Sequence, residues 1–137
     1  MPTESSSLGF TNRWYSDGVD QAVEYTLDTD HTIFLFTAPY FLASKLEAFK
    51  SYRHGQDLRG NSDFEDIIYL FDNREEIIDE IKNSQDSVRL YLIEELQTLL
   101  DHPNRDEGIS VHLETATASQ RTRRIVEIWQ ELVTART

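Results

Sequence analysis

An α+β fold is what this sequence predicts: a small N-terminal β-hairpin or sheet followed by a helical bundle, all in one domain spanning residues 1–137. Three observations carry that expectation. β-branched and aromatic residues crowd the stretch "AVEYTLDTDHTIFLFTA" on either side of Asp28-Thr29-Asp30, a turn-forming trio. From Leu42 to Leu132 apolar residues recur at spacings of three and four, the period of an amphipathic helix. The chain is long enough for one hydrophobic core and shows no internal repeat that would divide it.

Each element follows from its local chemistry. Pro39 suits a first helical turn, and Leu42, Leu46 and Phe49 continue a helix that fades near Arg53. "HGQDLRGNS" is a loop with two glycines. Asn61 or Ser62 can cap the next helix, whose first turn carries Asp63, Glu65 and Asp66, favoured there by the helix dipole. Phe64, Ile67, Ile68 and Phe71 form its inward face. Asp72-Asn73 breaks it, and "REEIIDEIKN" makes a short helix around Ile77, Ile78 and Ile81. Ser84 or Asp86 opens a longer one through Val88, Leu92, Leu96 and Leu99, ended by Pro103. "HPNRDEGIS" reads as a loop and "VHLETATA" fits no single element. A last helix from about Ala118 to Ala135 presents Ile125, Ile128, Trp129 and Leu132 on one stripe.

Composition excludes several classes of function. A formal charge of −12 opposes sequence-independent binding to nucleic acid, which depends on Lys and Arg meeting phosphates. The one basic cluster, "SQRTRRIV", is the solvated face of the last helix. With no cysteine there is neither a disulfide framework nor a thiolate metal site. "MPTESSSLGF" lacks the basic and apolar regions of a leader, and no apolar run approaches the ~20 residues of a membrane span. A soluble, cytoplasmic protein is expected. His31, His54, His102 and His112 lack the spacing of a helical metal site, so solvated or capping roles are expected of them. Trp14 and Trp129 read as core or interface aromatics.

The most informative stretch is "APYFLASKLEAFKSYRHGQDLRGNSDFEDIIYLFDNR". Lys45 falls on a line with Phe49 and Tyr52, at the border of the apolar stripe, and Asp63 and Asp66 follow three residues apart at a helix start. These residues alone leave two roles open: a snorkelling lysine paired with nearby dipole-favoured acids, or an ammonium pointed into a cleft.

Four pieces in register, "LGFTNRWY", "APYFLASKLEAF", Arg53-His54-Gly55 and "SDFEDIIYLFDNR", resemble the C-terminal half of the AbiEii/AbiGii toxin family of nucleotidyltransferases, in the DNA polymerase beta-like superfamily. The resemblance runs from Met1 to about Leu100. It implies a truncated nucleotidyltransferase fold in which Lys45 meets the triphosphate of an incoming nucleotide. Asp63 takes the place of the family's motif aspartate near the active site, Asp66 is its helical neighbour, and Arg53 is the basic residue after the lysine helix. None of these is a catalytic metal ligand.

Family members also carry a Gly-Ser or Gly-Gly turn, an Asp-x-Asp pair and a third aspartate, which together hold two Mg2+ ions for in-line displacement. This sequence contains no Gly-Ser or Gly-Gly, and its one Asp-x-Asp, Asp28 to Asp30, lies in the hairpin turn after the place where the pair belongs. By this comparison the chain begins just after the third aspartate. The expectation is therefore no catalytic residue, no metal site and no cofactor in the isolated chain, with Mg2+ and a nucleoside triphosphate entering only if an upstream-encoded half completes it. The alternative is a non-catalytic interaction module, a toxin–antitoxin-related remnant that docks an antitoxin-like protein. Loss of an upstream half would also bare an edge of the hairpin. "TIFLF" offers no charge to protect it, so a homodimer through the hairpin, with Phe10 to Tyr15 nearby, is expected.

Overall fold

A computed structural model describes Trp14, the backbone of residues 23–28 and 31–35, residues 37–50 and residues 58–135. Two strands, β1 (Val23–Asp28) and β2 (His31–Leu35), pair antiparallel, with Tyr25 opposite Ile33 and a register shift between Thr26 and Asp28. Six helices follow: α1 (Ala38–Lys50), α2 (Ser62–Asn73), α3 (Ile77–Lys82), α4 (Asp86–Leu100), α5 (Arg105–Ser110) and α6 (Ala118–Thr134). A single 3₁₀ turn, Thr115–Thr117, leads into α6.

The expected α+β class needs correcting. Helices account for 77% of the described residues outside the ribbon, and the packed body is built from helix against helix. The two strands bond only to each other among the described residues. A sheet becomes a structural layer by covering helices with a broad apolar face, and a two-stranded ribbon has too little surface for that. The fold is helical.

Helix burial follows the spacing in the sequence. α1 buries Leu42, Leu46 and Phe49, and also Ala38, Pro39, Tyr40 and Ala43, because it lies between α2, α3 and α4. Asn61 caps α2 by accepting the Phe64 N–H at 2.9 Å, and the helix ends where the Arg74 N–H returns to the Leu70 carbonyl. Neither Ser84 nor Asp86 caps α4. Gln85 occupies that position, and the Ser84 hydroxyl donates to the Ile81 carbonyl instead. α6 packs on α2, α4 and α5, with Trp129 fully buried and edge-on to Phe71 at 5.7 Å between ring centroids.

The stretch expected to be a loop after Pro103 contains α5. Its Gly108 is required by contact: a Cβ there would come within 2.6 Å of the Leu58 Cβ. With no side chain, α5 can press onto the residue that leads into α2. His112, just beyond α5, completes the seat by sharing a hydrogen bond between Nε2 and the Leu58 carbonyl at 2.8 Å, with its ring edge-on to Phe64.

Candidate functional site

The sequence places Lys45 and the two aspartates 18 and 21 residues apart, and the packing of α1 on α2 brings them together. Lys45 Nζ lies 2.8 Å from Asp66 Oδ2 and 3.4 Å from Asp63 Oδ1. The lysine stem runs along α1 beside Phe41, whose ring centroid is 5.5 Å from Nζ. Phe41 stands one turn before Lys45 on the same face of α1, which is why the two meet. That i, i+4 aromatic was the one signal in the sequence for a further member of the cluster.

Exposure grades the three charged groups. The Asp63 side chain is 13% exposed, Lys45 28% and Asp66 47%. Asp63 is held near the α2 N-terminus, where the dipole favours its charge, while Asp66 stands at the rim. Burial works against the Lys45 ammonium, but the hydrogen bond and charge of Asp66, then those of Asp63, outweigh it and hold the group above its usual range. Lys45 is thus a permanent cation at neutral pH.

One positive charge against two negative ones leaves the cluster net anionic. A phosphate approaching Lys45 meets two carboxylates already on the ammonium. It can share the lysine only by displacing the exposed Asp66 or by arriving with a counter-cation. The same two carboxylates are a poor seat for a resident Mg2+, because each turns one oxygen to the Lys45 ammonium, whose charge repels a second cation. No cluster of three metal-ligating side chains occurs among the described residues.

Arg53 and His54 lie outside the described residues, as do Thr29 and Asp30, while Asp28 ends β1. Trp14 packs at 4.9 Å from the Tyr91 ring and 6.4 Å from Tyr40, in a socket between α1 and α4. The basic cluster on α6 is less solvated than expected. Arg121 makes a two-pronged pair with Asp72 of α2, and Arg124 donates to the Asp72 carbonyl, so among the described residues only Arg123 of the three has no partner. No helix among the described residues is long and apolar enough to cross a membrane. No family model, no curated protein and no solved structure matches this chain.

Proposed function

We propose that this chain is the non-catalytic half of a nucleotidyltransferase-type unit, in which Lys45 meets the phosphates of a nucleoside triphosphate and a separate polypeptide supplies the metal-binding carboxylates. The observation that supports this reading is the convergence of Lys45, Asp63 and Asp66 at one half-exposed rim. The two sequence blocks that resemble the family are thereby joined through charged side chains as well as through apolar packing. An ammonium is a point charge suited to a phosphate oxygen, and Asp66 is exposed enough to swing away when one arrives. Mg2+ belongs with the completing polypeptide. The edges of the β1–β2 ribbon, which pair with no other described strand, offer that polypeptide, or a second copy of this chain, backbone groups to pair with.

Saturation of Lys45 by two acids supports a second reading, a binding module in which the cluster only staples α1 to α2. Calorimetric titration with the four common nucleoside triphosphates separates the two. The first reading expects weak binding that Lys45→Ala abolishes while helicity and melting temperature hold. It also expects nucleotide transfer only when a polypeptide bearing the Gly-Ser turn and Asp-x-Asp pair is added. Absence of binding, together with a large loss of melting temperature in Lys45→Ala, would leave the staple alone standing.

A further inference from the structure

A cleft of about 730 Å³ opens between α5 and α6. Thr122 and Val126 of α6 lie along it, faced by Arg105, Glu107 and Ser110 of α5. It shares Arg105 and Gln130 with a smaller hollow of about 290 Å³ between the end of α4 and the end of α6. Together they follow α6 for most of its 17 residues, roughly 25 Å at the helical rise.

The polar groups of α6 along this cleft are left over from folding. Arg123, Glu127 and Gln130 are exposed, and none of them pairs with another described residue. The buried Thr122 hydroxyl has no hydrogen-bond partner among the described residues. Across the cleft, by contrast, Arg105 is paired with Asp106 and Glu107 with Arg59. Arg123 and Glu127 stand one turn apart, but an arginine N-terminal to a glutamate is the weaker order for a pair within one helix, and the two do not join.

Their order along the helix is its own complement. Arg123 and Glu127, of opposite charge, flank position 125 at equal distance. An antiparallel second copy of α6, turned about a two-fold axis level with position 125, sets Arg123 of each copy against Glu127 of the other. Self-complementarity under a two-fold is the defining requirement of an isologous interface. We propose that the chain forms a homodimer through this cleft, each α6 lying antiparallel to the other and against the α5 of the opposite copy. The assignment uses neither Lys45 nor the ribbon and stands independently of the proposed function.

Sedimentation velocity on the full chain across a concentration series tests it with three variants: Arg123→Glu, Glu127→Arg and the two combined. Each single change places like charges together at both symmetry-related contacts, and should raise the dimer dissociation constant by about tenfold or more. The double change restores opposite charges and should return the constant close to that of the parent. Both residues are exposed, so circular dichroism should show unchanged helicity in all three. A parent chain that remains monomeric at concentrations on the order of 100 µM overturns the proposal. So does a dimer indifferent to the single reversals, a double variant no better than the singles, or a dimer that only Ile33→Lys in the ribbon dissociates.

Discussion

Helix α2 is tied to its neighbours by an ion pair at each end, and the two ties differ in kind. At its N-terminal end Asp63 and Asp66 hold Lys45 of α1; at its C-terminal end Asp72 holds Arg121 of α6. The first acids sit where the helix dipole welcomes them, and one is half-exposed. Asp72 sits where the dipole opposes a negative charge, with its side chain only 4% exposed. A carboxylate placed so badly needs a committed partner. The planar fork of Arg121 grips both its oxygens, and this contact raises the guanidinium above its usual range despite the opposing cost of desolvation. The comparison separates the two ties by their surroundings: Asp72 is buried at the helix end that opposes its charge and is gripped by a fork, whereas Asp66 is half-exposed and, with Asp63, sits at the end that favours its charge.

Aromatic anchors stand beside both ties, Phe64 against Phe49 at one end and Phe71 against Trp129 at the other. Truncation to alanine at either should cost about 3–5 kcal/mol in denaturant unfolding, since both side chains are fully buried. A large inequality between them would mean that the ends differ in packing as well as in charge. Next in size, Arg121→Ala should lower the melting temperature clearly more than Lys45→Ala, because it strands a buried carboxylate. Arg121→Lys should recover only part of the loss, the bidentate grip being absent. Equal losses in Arg121→Ala and Lys45→Ala would erase the distinction drawn here.

Lys45→Met, which keeps much of the apolar stem, should change stability by about 1 kcal/mol or less, because the nearer partner, Asp66, is half-exposed. The smallest effect is in pH. The folded Lys45 ammonium lies above its ordinary value of 10.5, so its contribution is complete below that pH and lost as the solution is raised through the folded value. Thermal melts of the parent and Lys45→Met should therefore converge above pH 10.5, and a gap that widens there would reverse the assigned sign.

Much of the helical body was legible because burial follows a period. Leu42, Leu46 and Phe49, the inward face of α2, and the stripe from Ile125 to Leu132 are all buried in the structure. The site was legible as three charges but not as a contact, since spacing within a helix says nothing about which helix lies opposite. Asp72 reads in sequence as a helix breaker, yet it is the acid that binds α6, a role set by a residue 49 positions away. The α+β class failed for a related reason. Local β propensity locates a ribbon, but only the body's packing decides whether that ribbon forms a layer. α5 went unread because six residues with Gly108 among them resemble a turn until Leu58 is seen beneath the glycine.

That glycine contact also orders events in time. Leu58 and its carbonyl are seated by Gly108 and by His112, the latter 54 residues further along, so the entrance to α2 cannot be finished until α5 has been made and has arrived. Helices α2, α3 and α4 lie within the intervening stretch, and closing a loop of that length is a late and slow step compared with the local turns it encloses. A methyl group at position 108 would obstruct that last closure. Stopped-flow refolding of Gly108→Ala should show early helix formation at the parent rate, with the shortfall confined to the final phase. A variant slowed from its earliest phase would mean that the far end of the chain is engaged from the start.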